Sequence, residues 1–250
     1  KVSADIPMGD KVRAFVGLRR TYFDLFLKMV KKYRGTSLNF YDFNAKISYD
    51  IDERNRIWGS FFRGRDNMAF DDLMNSGWGN MTGNLRYWHS FNEDHYMTTS
   101  AFVTSYGYDT EMDMDDIGNS YDTGLFHAGL KQSFNWNPIE KLSLLYGFQT
   151  RYTKLTSLNI TQQAYNRNEV RKAWENDIWV NGEWSPTERL SLLAGLRLNI
   201  FSVLGGAPYY EVNDKGDITR SYDYANGEFV RTHFTWEPRL SLNLRLSPNV

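Results

Sequence analysis

The chain has 250 residues, with 29 Lys and Arg against 30 Asp and Glu, and a net charge of −1. This balance argues against nucleic acid as the main partner, because nucleic-acid-binding surfaces carry a basic excess. The mean hydropathy is −0.57, and no apolar run reaches the roughly 20 residues of a membrane-spanning helix, which excludes helical membrane proteins. Without any cysteine, a disulfide framework and thiolate metal ligands are excluded as well.

Turn-forming residues divide the chain into alternating segments from end to end. Short turns are predicted at 7–11, 52–55, 92–95, 136–141, 185–189 and 247–249. Longer connections are predicted at 20–37, 65–76, 109–120, 156–168 and 202–227. Short and long connections alternate in outer-membrane barrels, whose short turns are periplasmic and whose long loops are extracellular. We therefore expect residues 1–250 to form one partial transmembrane barrel domain of about eleven up-and-down strands.

The first long connection has the pattern of a short amphipathic helix. Thr21 and Asp24 resemble a capping box, and apolar side chains follow at helical spacing, including Tyr22, Phe26 and Met29. Such a helix could line the extracellular mouth, or it could be a stiff loop packed against its neighbours.

The acidic run 109–116 places Glu111, Asp113 and Asp115 at alternate positions, as in a calcium-binding loop. Asp116 occupies the position where that loop requires Gly, so a solvated acidic loop is the better interpretation. The four histidines lack paired metal-ligand spacing, and neither a nucleophile elbow nor a phosphate-binding glycine loop is present. We expect no metal site, no cofactor and no enzymatic activity.

Two segments, 136–148 and 184–196, repeat the same pattern of a Pro-containing turn that leads into an alternating strand. Repeated hairpins of this kind build a large antiparallel sheet. Large aromatic residues lie at or near predicted turns, where an amphipathic ring would sit at the level of the lipid headgroups. These residues are Phe91, Trp136, Trp184 and Trp236.

The strand after the second repeat has one apolar face, formed by Leu190, Leu192, Ala194, Leu196, Leu198 and Ile200. Arg197 and Asn199 take the opposite face. A soluble β-sandwich would show the same alternation with its apolar face inward. The strand length favours a membrane barrel, because transmembrane strands need about 9–11 residues whereas globular strands average about 5–6. The polar face would then line the lumen.

The same alternation predicts which residues could contact substrate or an internal plug. An Arg or Lys on a lipid face costs about 2–4 kcal/mol at the membrane midplane, so charged residues are assigned to the lumen. The candidates are Asn84, Arg86, Arg151, Asp177, Trp179, Glu183, Arg197 and Arg239. Of these, Arg197 and Arg239 are expected to contact the plug.

An odd number of strands raises the problem of closure. Single-chain bacterial barrels have even strand numbers, because an open edge in lipid would leave backbone groups unpaired. We therefore expect this chain to form about half of a barrel of about 22 strands.

Five segments resemble TonB-dependent outer-membrane receptors, in the branch common among gut and oral anaerobes. They are 15–26, 40–47, 78–82, 85–88 and 237–242, and they follow the family's order. The resemblance implies a barrel of about 22 strands that is plugged by an N-terminal domain and imports a scarce nutrient with energy relayed by TonB. It also implies a location in the bacterial outer membrane, contact with membrane lipid and, by analogy, a surface-exposed lipoprotein partner.

The plug, the TonB-contacting segment and the last barrel strands are not matched by any part of these residues. The nutrient could be a glycan, a peptide, a siderophore, haem or cobalamin. A passive porin or export barrel, and a secreted all-β carbohydrate-binding protein, remain as alternatives.

Overall fold

A computed structural model describes residues 1–70, 73–114, 117–162 and 165–246. Eleven strands in this part of the chain form one antiparallel sheet, ordered β1 to β10 and then β13. In chain order the elements are β1 Val2–Met8, β2 Val12–Arg20, α1 Phe23–Met29, a 3-10 turn Lys31–Tyr33, β3 Thr36–Asp52, β4 Asn55–Phe70, β5 Met74–Asn92, β6 His95–Met114, β7 Ile117–Ile139, β8 Leu142–Gln162, β9 Tyr165–Thr187, β10 Leu190–Leu204, β11 Tyr209–Val212, β12 Ile218–Tyr222 and β13 Phe229–Leu244. The predicted meander of about eleven strands is confirmed.

Every strand of the large sheet pairs with its neighbour in sequence, except that β10 pairs with β13 across the small β11–β12 hairpin. The sheet is open, with β1 and β13 as its edges. Among the described residues, no helix has the length and hydropathy needed to cross a membrane.

The two faces of the sheet differ in chemistry and in exposure. One face, called the apolar face here, carries exposed residues such as Ile178 and Leu240, which are 57% and 77% exposed. The other, called the polar face, carries Arg197 and Arg239. In the described part of the chain only one hydrophobic residue, Leu204, is buried. Such a large exposed apolar surface is expected of a sheet in contact with lipid.

The apolar face forms a band of nearly constant height. It runs from Leu142 to Tyr152 in β8 and from Trp174 to Trp184 in β9, whose ends pair with each other. In β10 it runs from Leu190 to Ile200, shifted slightly toward the β9–β10 turn, with Ile200 opposite Asn176. These spans match the roughly 9–11 residues of a transmembrane strand.

Three of the four predicted interfacial aromatics lie beside a short turn, namely Phe91, Trp136 and Trp184. The expectation for Trp236 is wrong. Trp236 pairs with Leu198, well along the strand from the Leu190–Leu244 pair at the turn. Pro238 lies within β13, where an edge strand tolerates a missing backbone N–H.

Three of the predicted long connections are instead mostly strand where the structure describes them, at 65–70 and 74–76, 109–114 and 117–120, and 156–162 and 165–168. Strands β4 to β9 run beyond the apolar band into paired arms, so that β6 and β7 stay paired up to Met114 and Ile117. The expectation of long connecting loops at 65–76, 109–120 and 156–168 is corrected in this respect: their described residues belong to paired hairpin arms. The arm sequences lack a sustained alternation of apolar and polar residues, which is the mark of a half-buried strand. Asp115, Asp116 and the predicted turn 247–249 lie outside the described residues.

A polar network stabilises one of these arms on its outer side. Arg65 donates from Nη2 to both carboxylate oxygens of Asp109, at 2.8 and 2.9 Å. Its Nε donates to Asn67 at 2.9 Å, and Asn67 in turn donates to Asn39 at 3.3 Å. Charged and amide groups are unfavourable in contact with lipid, so we expect this part of the arm to lie outside the membrane.

The first long connection contains α1, but without the predicted capping box. Thr21 Oγ1 accepts a hydrogen bond from the backbone N–H of Phe40 at 3.0 Å, and the N-terminus of α1 has no side-chain cap. Asp24 pairs instead with Arg20 at 3.4 Å. The apolar side chains Tyr22, Phe26 and Met29 are 58%, 66% and 79% exposed, so the helix does not pack them against the sheet.

Candidate functional site on the polar face

The strand register places all eight candidate residues on the polar face. Asn84 and Arg86 lie on β5, opposite Phe102 and Ser100 of β6. The other six lie at the far side of the sheet, on β8, β9, β10 and β13: Arg151, Asp177, Trp179, Glu183, Arg197 and Arg239. The face therefore carries two separate groups of candidates.

Asp177 is the centre of the larger group, and only 1% of its surface is exposed. Arg197 donates to it twice, from Nε to Oδ1 at 3.1 Å and from Nη2 to Oδ2 at 2.8 Å. Asn199 donates to its Oδ1 at 2.8 Å. Three donated hydrogen bonds satisfy a buried carboxylate, whose burial without partners would be costly.

The network continues along the strands toward the arms. Asn199 donates a second hydrogen bond to Glu175 Oε1 at 2.8 Å, and Arg151 Nη2 forms an ion pair with Glu175. Arg151 Nε is buried without a hydrogen-bond partner in the described part of the protein. Charges of both signs alternate here, so this group is largely neutralised within the sheet.

Trp179 lies beside the Asp177 network and closes one side of a small cavity. Lys131 Nζ lies 5.2 Å from the Trp179 ring centroid, a cation–π contact. The ring needs a glycine beneath it, since a Cβ on Gly147 would lie 2.8 Å from the indole. The cavity, of about 190 Å³, is bounded by Lys131, Gln149, Trp179, Arg197, Glu237 and Arg239.

Four of the six candidates in this group thus lie together, namely Asp177, Trp179, Arg197 and Arg239. Arg151 joins them through Glu175. Glu183 lies apart, near the β9–β10 turn, where it accepts a hydrogen bond from Ser191 at 3.0 Å.

A second cavity lies on the polar face of β1 to β5 and includes Asn84 and Arg86. Its volume is about 550 Å³, and four cationic side chains line it, Arg13, Lys46, Arg56 and Arg86. Sequence reasoning missed Arg13 and Arg56 as site residues. Their strands share the period-two alternation, but the pairing that brings them together becomes evident only from the register of the β1–β2 and β3–β4 hairpins.

Several aromatic side chains line the polar face of β3 to β6 on the side of the arms, farther from the short turns. Arg19 lies 4.9 Å from the Phe40 ring centroid and pairs with Asp42 at 2.6 Å. Trp78 and Tyr106 line the same cavity, which measures about 210 Å³. Rings beside charged groups suit ligands that have both apolar and polar surfaces.

The polar face offers ionic, hydrogen-bonding and stacking contacts. Within the described residues there is no group of three or more His, Asp or Glu side chains that could hold a metal ion.

Neither a protein-family model nor a curated protein matches the sequence. Solved structures match its fold at low identity. The FrpB iron transporter of Neisseria meningitidis aligns with a TM-score of 0.68 and 13% identity over 98% of this chain and 42% of its own. A double mutant of the Serratia marcescens hemophore receptor HasR, in complex with its hemophore HasA and heme, aligns with a TM-score of 0.65 and 12% identity over 99% and 40%.

The copper transporter OprC aligns with a TM-score of 0.66 and 10% identity over 95% of this chain and 39% of its own. These proteins are TonB-dependent receptors. The chain spans about two fifths of the length of the structures it matches. The likeness shows the fold: the chain is a segment of an antiparallel transmembrane barrel wall of the kind found in these receptors.

Proposed function

We propose that the chain forms part of the barrel wall of an active importer in the bacterial outer membrane, with energy supplied through TonB. One observation carries the proposal. An open sheet with an exposed apolar face and an ionised polar face aligns over 95–99% of its length with receptor barrels. An apolar band of transmembrane height needs lipid outside, and the charged face needs water or protein inside.

The partners follow from the two faces. Membrane lipid covers the apolar face, and a plug domain fills the lumen and relays the TonB signal. The Asp177 network supports plug contact through Arg197 and Arg239, because both guanidinium groups border a cavity on the lumen side. A surface-exposed lipoprotein is a further partner by family analogy, and α1, with its exposed apolar side chains, is the segment we assign to the extracellular mouth.

The cargo is a scarce nutrient, and the neighbours' names cover several classes: copper, iron, heme with a hemophore, and siderophores. Glycans, peptides and cobalamin also fit a wall that combines aromatic rings with charged groups. Identity of 10–13% leaves the choice among them to the lumen-lining residues of this chain.

The proposal is tested with the native full-length protein in its own cells. Fractionation should place it in the outer membrane, and its intact mass should exceed 29.3 kDa by the mass of a plug and further strands. Uptake of its cargo, found by comparing growth of wild-type and deletion strains on single nutrient sources, should stop when TonB is deleted or the proton gradient is collapsed. The control is the TonB deletion strain with the gene restored, in which uptake should return.

Two results would contradict the importer. Uptake that continues without TonB would identify a passive porin. A protein that stays monomeric and soluble without detergent would identify a secreted β protein.

A further inference from the structure

We propose that the cavity lined by Arg13, Lys46, Arg56 and Arg86 is a binding site for a carboxylate or phosphate group of a soluble ligand in the lumen. The inference rests on the proposed function, because it assigns this cavity to the lumen of an importer and gives its cargo an anionic group. We call it the cationic cavity.

The cationic cavity is built by four neighbouring strands, each of which contributes one cation. Arg13 of β2 pairs with Ser48 of β3, and Lys46 of β3 pairs with Ser60 of β4. Arg86 of β5 pairs with Trp58 of β4, and Arg56 lies one step along β4 on the same face. Side chains on one face of paired strands converge, so the cations surround a shared space of about 550 Å³.

The charge of this cavity is unbalanced. Arg56 forms an ion pair with Asp50. For Arg13, Lys46 and Arg86, no carboxylate lies within 4.0 Å in the described part of the chain. Asp5 is the carboxylate among the lining residues, so four cations face Asp5 and Asp50 with a net charge of +2.

The contrast with the Asp177 network shows why this imbalance points to a ligand. There, Arg151 and Arg197 each meet a carboxylate within the sheet. In the cationic cavity, Arg13, Lys46 and Arg86 share one wall without a carboxylate partner, and all three are exposed, so their charge is accessible to an anion from solution. An arginine fork matches the geometry of carboxylate and phosphate oxygens, and Arg13 and Arg86 are both available for it.

The rest of the lining suits an oxyanion attached to an organic body. Ser48, Ser60 and Asn84 supply neutral hydrogen-bond donors, and Phe15 and Trp58 supply an apolar surface. The cavity opens on the polar face, away from the lipid band, so the phosphate of a membrane lipid does not reach it from the apolar side. The ligand is therefore a solute that enters the lumen.

The test measures binding of inorganic phosphate and of citrate to the native full-length protein in a neutral detergent, by isothermal titration calorimetry. The probe variant is Arg13→Gln with Lys46→Gln. The matched control is Lys215→Gln with Arg231→Gln, which removes the same charge from residues that do not line the cavity. We expect saturable binding of at least one probe, a loss of about tenfold or more in affinity in the probe variant, and affinity within about twofold of wild type in the control.

A second variant, Arg86→Gln, places the change on another strand and should also weaken binding. Thermal melting of each variant shows whether it is folded, and a titration with anionic lipid micelles distinguishes a lipid headgroup from a solute. Four results overturn the inference: no binding of either probe, equal loss in the control, full affinity in folded probe variants, or binding of the lipid alone. None of them depends on TonB, so failure here is distinct from failure of the proposed importer.

Discussion

Asp177 is a carboxylate with 1% of its surface exposed, on the polar face of the sheet. It is stable there because two donors of Arg197 and the amide of Asn199 converge on it. The arrangement fixes the side-chain positions on β9 and β10 relative to each other. It also presents the rest of the Arg197 guanidinium to the cavity beside Trp179.

We predict that Arg197→Ala destabilises the protein by about 2–3 kcal/mol, because it leaves the Asp177 charge buried with one remaining donor. Arg220→Ala is the control. Arg220 lies on the β11–β12 hairpin and donates to the Tyr222 hydroxyl at 3.2 Å, so its loss should change stability by less than about 0.5 kcal/mol. Denaturant unfolding in detergent measures both. An equal effect of the two variants would show that the buried pair has no special role.

The face of a strand residue could be predicted from sequence, and its partners could not. Arg197 was assigned to the polar side because strand side chains alternate with a period of two. Its contact with Asp177 depends on the register between β9 and β10, which no residue pattern specifies. For the same reason Arg13 and Arg56 are not among the residues that the sequence predicts for the site.

The short turns are stabilised by hydrogen bonds between residues that are close in sequence. In the β3–β4 turn, Asp52 accepts hydrogen bonds at 2.8 Å from the Arg54 backbone N–H and from the Asn55 amide. In the β5–β6 turn, Asn92 accepts the corresponding backbone bond from Asp94 at 3.0 Å. Such side-chain bonds to the backbone two residues on are typical of Asp and Asn in tight turns.

The hydrogen bonds from Asn55 and Arg54 lower the pKa of Asp52 below its ordinary value of 3.8. A carboxylate with a lowered pKa in the folded state contributes stability above pH 3.8, and this contribution is lost as the pH falls through the folded pKa. We predict that Asp52→Ala lowers the unfolding midpoint at pH 7 and that the difference from wild type shrinks below pH 3.8.

Asp10→Ala is the matched control for the Asp52 variant. Asp10 lies in the β1–β2 turn, and its carboxylate makes no hydrogen bond in the described part of the chain. Its replacement should change the midpoint little at either pH. A difference for Asp52→Ala that stays constant with pH would show that the charge of this carboxylate does not stabilise the turn.

Turns could be predicted from sequence because a few adjacent residues determine them, and the arms could not. Residues 109–120 are mostly acidic or polar, and the apolar residues Met112, Met114 and Ile117 are too few to identify a strand by their spacing. Their strand structure depends on backbone pairing between β6 and β7, with help from contacts such as Arg65 to Asp109. The capping box predicted at Thr21 is wrong for a related reason. The Thr21 hydroxyl accepts a hydrogen bond from the backbone of Phe40 on the adjacent strand β3 instead of capping α1.

At the scale of the whole molecule, the apolar band determines how the sheet can be used. Eleven strands form the sheet that carries this band, and β1 and β13 remain as edges. Backbone groups on an edge in lipid must be paired, so such a sheet serves as part of a larger closed wall. The chain matches about two fifths of the length of each receptor, which is also expected of part of a larger wall.

The position of the band leads to a prediction about insertion. Ile178 lies on the apolar face of β9, midway between Trp174 and Trp184, and pairs with Phe148 and Leu198. Ile178→Arg should destabilise the membrane-inserted protein by about 2–4 kcal/mol, because a charged side chain would then face lipid near the midplane.

Val170→Arg is the matched control, on the same face of the same strand. Val170 pairs with Thr156 above the band, so an Arg there should cost about 0–1 kcal/mol. Urea titration of the native protein folded into lipid vesicles measures both variants. Equal costs at the two positions would mean that lipid does not cover this face at the height of Ile178. A large cost at Ile178 alone places the membrane between Trp174 and Trp184, and the arms of β4 to β9 then stand outside it.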